Sequence, residues 1–269
     1  MGETLLNKDA QRIIEIENKT NINMYLSINR FAVKHTDKKG KIYYEPLLFH
    51  ELRKRPISSR SFYNQNMMKD LLGRLDKQNR EIVFTMPCQH ETIYKPDNRI
   101  FVGVGTSPFG NIQLIRLHSI YGVPYIPASA MKGVFRNCWL HEICQKNEND
   151  VLKDDDFYKL FGHGEDEFAN RGALIFMDTY PIEFSIGLDI VAPHYQAYYM
   201  KGYNPTDTES PNMLYYICLT KAKFNVYYGC TDKKLWEANK VNFNKVLNTV
   251  FAYYGVGSKT SIGYGIMSD

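Results

Sequence analysis

Two rhythms of apolar positions run along this chain. From Ser61 to Asn79, Phe62, Met67, Met68, Leu71, Leu72 and Leu75 cluster at helical spacing, which predicts an amphipathic helix. A second helix is predicted from Ser129 through Ile143, with Met131, Val134, Phe135, Trp139, Leu140 and Ile143 on one buried face. Pro127 forces the residue before it out of helical geometry, and Ser129 offers a capping hydroxyl. The segment LWEANKVNFNKVLNTVFAYY reads as a third helix. Strand-like stretches rich in β-branched and aromatic residues occur at 22–34, 81–86, 99–104, 112–118 and 173–178, and LYYICLT and KFNVYYG read as a strand pair. From about residue 80 the order is strand, helix, strands, helix, strand, which suits an α+β sandwich of the ferredoxin-like or RRM-like kind. Two segments interrupt the pattern and are expected to be irregular: HTDKKGKIYYEPLLFHELRKRPISSR, and the Tyr- and Pro-rich LDIVAPHYQAYYMKGYNPTDTESPN.

Charge sharpens the division. The net charge of +4 is too small to announce a nucleic-acid partner, but residues 1 to 100 carry 18 Lys and Arg against 12 Asp and Glu, and the remainder carries 15 against 17. The expectation is therefore a basic N-terminal extension over residues 1–80 and a main domain with inserted loops over 81–269. Glu142 to Glu167 holds nine acids and three bases, the composition of a solvated loop. With 269 residues a sizeable core can form without staples, and the five cysteines include no CxxC pair, so buried free thiols are expected rather than disulfides or a zinc knuckle. No apolar run approaches the roughly 20 residues of a membrane span, and the start lacks the order of a signal peptide, so a cytoplasmic protein with no membrane partner is expected.

Candidate chemistry is sparse. Gly103 and Gly105 begin a dinucleotide fingerprint, but Pro108 stands where the third glycine is needed. No HExxH or GxSxG occurs, and no cofactor, metal or catalytic residue is called for. The C-terminal GVGSKTSIGYG places Gly255, Gly257, Gly263 and Gly265 around Ser258, Lys259, Thr260 and Ser261. Such a loop brings backbone, hydroxyls and a cation close to a phosphate, and it is equally a glycine-rich turn before a last strand. Lys132 and Arg136, four apart, project from one side of the second helix. His194 and Tyr195, with Tyr198 and Tyr199, offer rings that stack on unpaired bases and a donor for phosphate, or simply pack a loop onto the core.

Taken together, GVGTSPFG, YGVPYIPASAMKGVFR, LFG followed by GALIFMD, APHYQAYY and GVGSKTSIGYG resemble the RAMP superfamily of CRISPR RNA-binding proteins, in the order and spacing of a subunit of the type III-B effector, the Cmr complex. The resemblance runs from about Arg99 to the C-terminus. It implies a ferredoxin-like (RRM-like) RAMP domain with insertions, at one end of a helical assembly. Its implied partners are CRISPR guide RNA, held toward the 3′ end, target RNA, and other subunits of the Cmr complex. Carried over by position, it implies that Ser129, Lys132 and Arg136 form one wall of an RNA site and Gly255, Gly257, Ser258, Lys259, Thr260, Ser261 and Gly263 a second, with His194 and Tyr195 on an inserted loop. The helix entry departs from the family's glycine, serine, serine by reading Ala128, Ser129, Ala130. The loop GTSPFGNIQ lacks the aspartate carried by subunits that cut target RNA, which implies a non-catalytic subunit. A guide-processing endoribonuclease using His194 as base, or a repeated backbone subunit, are the alternatives.

Overall fold

The computed structural model describes residues 23–29, 32–54, 56–58, 65–103, 105–106, 112–145, 155–164, 170–192, 200, 202, 204 and 213–268. In chain order the elements are α1 (Met24–Asn29), β1 (Ala32–Thr36), β2 (Ile42–Pro46), α2 (Leu47–Leu52), β3 (Ile57–Ser58), α3 (Gln65–Phe84), β4 (Cys88–Pro96), β5 (Gly105–Thr106), β6 (Ile112–Leu114), α4 (Ala128–Trp139), α5 (Asp155–Phe161), β7 (Gly162–His163), β8 (Asn170–Arg171), β9 (Leu174–Phe176), β10 (Pro181–Val191), β11 (Leu214–Cys230), α6 (Lys233–Thr249) and β12 (Met267–Ser268). Both α4 and α6 end in a π-helical turn, Leu140–Cys144 and Val250–Tyr254. The chain forms two compact units interleaved in sequence. One comprises Met1–Gln65, Gly103–Val123 and Ser185–Thr220, the other Asn66–Val102, Pro124–Phe184 and Lys221–Asp269. Residue 80, where composition places the end of the extension, lies inside α3.

In the first unit, α1 stands where a strand was expected. Asn23 decides the matter: its side-chain oxygen accepts from the N–H groups of Tyr25 (2.9 Å) and Leu26 (3.4 Å), and its amide donates to the Ile120 carbonyl (2.9 Å). The basic stretch expected to be irregular contains the antiparallel hairpin β1–β2. Its turn is closed by Asp37, whose carboxylate accepts from the N–H groups of Lys39 and Lys41 at 2.8 Å, with Gly40 at φ 81°. Ile57 of β3 pairs with Ile186 of β10, and β6 runs parallel to the start of β11.

The second unit holds the expected βαββαβ order as β4, α4, β9, β11, α6, β12. β12 pairs with β4, β4 with β11, and β11 with β9, all antiparallel, so the strands lie in the order fourth, first, third, second. That is the ferredoxin-like arrangement, in an α+β fold. The second half of β11, Phe224 to Cys230, is buried at every position. Unbroken burial means that both faces of the sheet are covered. Alternation shows by what: Tyr228 meets Phe135 of α4, Phe176 and Trp236 of α6, whereas its neighbour Tyr227 points the opposite way, to Asp76 of α3.

α3 runs on through residues 81–84, which were expected to start a strand, and β4 begins only at Cys88. Met68, Leu72, Leu75, Asn79 and Val83 are all buried, so the helical period simply continues and outweighs the local preference of Ile82, Val83 and Phe84 for extended structure. LYYICLT and KFNVYYG form one continuous strand, β11, rather than a pair. Residues 99–103 form no ladder strand, and LDIV, expected to open an irregular segment, is the end of β10. The acidic stretch contains α5, whose Phe157, Leu160 and Phe161 are buried. The cysteines are free, and Cys88, Cys138, Cys218 and Cys230 are buried. Burial pushes the Cys138 thiol up to about 11, which keeps it protonated and unreactive. Among the described residues no helix is long and apolar enough to cross a membrane, and no cluster of metal-ligating side chains occurs.

A polar network pins α3 to the sheet. The Tyr227 hydroxyl lies 2.8 Å from Asp76 Oδ1 and 3.2 Å from Glu91 Oε1, the Asn225 amide donates to the same two oxygens, and the Arg80 guanidinium pairs with Glu91. Burial opposes ionisation of Glu91, but hydrogen bonds from Asn225, Arg80 and Tyr227 outweigh it and hold the carboxyl below its usual 4.5. A depressed carboxyl contributes stability that is present above the unfolded-state pKa and lost as the pH falls through the folded one. The Glu91→Gln variant is therefore expected to be less stable than the parent at neutral pH, with a gap that closes as the pH drops below 4.5. Urea midpoints measured over that range check it; a gap of constant size would contradict an ionised Glu91 in the network.

Candidate nucleic-acid interface

The expected first wall is the start of α4, in the second unit. Pro127 occupies the cap position with extended backbone and makes no side-chain cap. Ser129 does not cap the helix as expected; it is exposed in the first turn. The capping group comes from 50 residues away: Asp178 Oδ1 accepts from the Ala128 N–H at 2.8 Å. Asp178 is itself fixed, because its carbonyl accepts from the Asn79 side chain at 2.7 Å. A carboxylate thus already sits at this helix N-terminus, where the partial positive charge favours an anion. The amide of Ala128 is occupied, which moves the burden of holding any phosphate onto the side chains that follow.

Lys132 is half-buried. Burial first, and then the positive charge of Arg171, push its ammonium below the usual lysine value. Among the described residues no carboxylate lies in ion-pair range of Lys132. Arg136, one turn on, sets its guanidinium 5.0 Å above the ring of Phe157, a buried residue of α5. That contact docks α5 on α4 and fixes the guanidinium in place. Arg171, at the end of β8, is exposed and was not singled out in the sequence. The charge of Arg171 is felt at Lys132, so the structure brings these two cations together, with Arg136 one turn along the same helix as Lys132.

The glycine-rich loop is anchored elsewhere, on Arg99–Val102. Ser258 N–H donates to the Phe101 carbonyl at 2.7 Å, Gly265 N–H to the Arg99 carbonyl at 2.9 Å, and Val256 N–H to the Gly265 carbonyl at 2.9 Å. Arg99 and Phe101, in a stretch expected to be a strand, spend their carbonyls on this loop. Gly255, Gly257, Gly263 and Gly265 all have φ between 69° and 106°, and Lys259, at φ 62°, adopts the left-handed conformation that a side chain seldom takes. A Cβ on Gly257 would stand 2.5 Å from the Phe101 carbonyl oxygen and one on Gly265 2.1 Å from that of Val256, so these two glycines serve the loop's approach to its own chain. Gly263 differs, with nothing nearer than Asn98 at 3.9 Å. Thr260, Ser261 and Ile262 form a 3-10 turn following Lys259, and among the described residues the N–H groups of Thr260 and Ser261 have no backbone acceptor. Lys259, Thr260 and Ser261, with Ser258 and Gly263 beside them, are the part of this loop that can face an anion. His194 and Tyr195 lie outside the described residues.

Comparison with known proteins matches residues 95–268 to the family model of the RAMP superfamily, a span that includes Lys132, Arg136, Arg171 and the loop. The Cmr subunit Cmr6 of the CRISPR system of Pyrococcus furiosus is 28% identical over 227 residues, covering 64% of this chain and 65% of the relative. The Cmr6 subunit of Saccharolobus solfataricus is 27% identical over 178 residues, covering 62% of this chain and 53% of that protein. The chain thus spans a little under two thirds of one curated relative and about half of the other. Among solved structures, a chain of the type III-B Cmr-beta complex bound to cognate target RNA shares the fold with a TM-score of 0.55 at 19% identity, covering 74% of this chain and 64% of that one.

Proposed function

The chain belongs to the RAMP superfamily, and from that premise we propose that it is a non-catalytic RNA-binding subunit, the sixth, of a type III-B (Cmr) CRISPR effector. In that role it holds guide RNA toward its 3′ end and helps to position target RNA for antiviral defence, with other Cmr subunits as neighbours and the cytoplasm as its place of action. The observation that carries the RNA-binding part is Lys132: a half-buried ammonium beside a guanidinium, without a carboxylate among the described residues, is a group whose charge needs an anion. The names of the two curated relatives support the choice of complex. The absence of an aspartate from GTSPFGNIQ supports a binding rather than a cutting role.

The test is reconstitution. Purified chain is expected to leave guide and target RNA intact with and without magnesium, and to enter a complex with the partner subunits and guide RNA, detected by native mass measurement. Cleavage of repeat RNA at a fixed position by the isolated chain, lost in His194→Ala, would replace this reading with that of a processing endoribonuclease.

A further inference from the structure

We infer that Arg171 joins Lys132 in a two-cation site for one backbone phosphate of RNA, so that the segment between α4 and β9 supplies a binding residue of its own. The inference rests on the RNA-binding reading above and adds to it a residue and a shape.

Arg171 is held in place although its side chain is exposed. It pairs with Gly162 across the hairpin β7–β8, and the hairpin is pressed against the end of α5. A Cβ on Gly172 would stand 2.4 Å from the Phe161 carbonyl carbon and 2.5 Å from the Leu160 oxygen, and Ala173 N–H donates to the Lys159 carbonyl at 2.8 Å. α5 is in turn fixed to α4: Phe161 packs against Phe135 and Trp139, and Arg136 lies over Phe157. Every link from Arg171 back to the helix that carries Lys132 is thus a packed or hydrogen-bonded one. The backbone of Arg171 is set, and its long side chain is left to reach outward.

Two cations that feel each other, with no carboxylate in ion-pair range of either among the described residues, repel in the free protein. A phosphate group between them turns that repulsion into two attractions. The pair is also chemically matched to the task, since the guanidinium offers a fork to two oxygens and the ammonium a compact charge to the group as a whole.

The experiment uses the full chain and a fluorescein-labelled single-stranded RNA of mixed sequence, with anisotropy read over a range of salt concentrations. Arg171→Ala is expected to weaken binding about 5- to 10-fold and to flatten the dependence of log K on log salt by about 0.7, the loss of one phosphate contact. Arg171→Lys should restore the slope and only part of the affinity, because it keeps the charge and loses the fork. The effect of Arg171→Ala should shrink in a Lys132→Ala background, as for two residues sharing one ligand. An independent readout is the Lys132 side chain followed by NMR, whose pKa should rise in Arg171→Ala without any RNA present. Unchanged affinity and slope in Arg171→Ala, with binding weakened in Lys132→Ala, would overturn the role of Arg171 and leave the RNA-binding reading standing. If neither variant weakened binding, that reading would fall as well.

Discussion

Gly265→Ala is expected to destabilise the second unit by about 3–5 kcal/mol. Two costs add. The backbone at Gly265 has φ 69°, a conformation that a side chain occupies only at a cost of about 1–2 kcal/mol. The added carbon would also stand 2.1 Å from the Val256 carbonyl oxygen, and that oxygen cannot retreat freely because the Val256 N–H is bonded to the Gly265 carbonyl. Relief requires opening the loop, and with it the bond from Gly265 N–H to Arg99 that holds the last strand beside β4. At roughly 2–4 °C per kcal/mol for a unit of this size, thermal unfolding should begin about 10 °C lower. Gly263→Ala is the control: its φ of 89° carries the conformational cost, but its Cα faces open space, so about 1 kcal/mol is expected. Equal melting temperatures for the two variants would show that the loop is not closed on itself as described. Gly263 is also the glycine at which steric access of a phosphate can be tested without wrecking the turn.

How much of this was legible in the sequence depends on how far apart the decisive groups lie. α4 could be read because its apolar stripe is complete within one helix, and α6 likewise. LYYICLT and KFNVYYG read as two strands because the polar stretch Lys221–Lys223 divides them, although the backbone runs through it as one strand. The end of α3 was misplaced because Ile82, Val83 and Phe84 favour a strand locally, and only burial of Val83 against the rest of the unit keeps them helical. At the site, Lys132 stood out from its place on the helix. Asp178 did not, since nothing in the local sequence says that a carboxylate 50 residues on will cap α4. Arg171 was hidden for a similar reason. It closes a stretch otherwise dominated by acids, and its meeting with Lys132 is made by the packing of α5 and the hairpin, which no spacing rule encodes. The one local hint was a lone arginine beside a glycine at the end of that acidic run. The glycine-rich loop had two readings in sequence, and geometry assigns Gly257 and Gly265 to the turn, with Thr260, Ser261 and Ile262 in a 3-10 turn beside them.

Lys132→Glu is expected to separate binding from folding, and the two effects should have opposite signs. In the folded protein the Lys132 ammonium is disfavoured by burial and by the neighbouring Arg171, so replacing it with a carboxylate trades a repulsion for an attraction. The midpoint of urea unfolding should therefore stay level or rise slightly, the half-buried position sparing the new charge a full desolvation cost. RNA binding should move the other way. Removing one phosphate contact and presenting a negative charge in its place costs about 2–3 kcal/mol, or on the order of a hundredfold in affinity at physiological salt. Because phosphate contacts position an RNA without reading its bases, the loss should be the same for purine-rich, pyrimidine-rich and mixed strands. Fluorescence anisotropy on the three strands beside a urea titration of the same protein gives both quantities. A loss confined to one sequence would make Lys132 a base-reading residue rather than a phosphate ligand. A fall in stability that tracked the fall in affinity would mean that the ammonium is needed for the fold, and an unchanged affinity would remove Lys132 from the RNA interface altogether. The combination that supports the assignment, retained stability with sequence-blind loss of binding, is what a cation placed against its own electrostatic interest should show when its partner is a phosphate supplied from outside the chain.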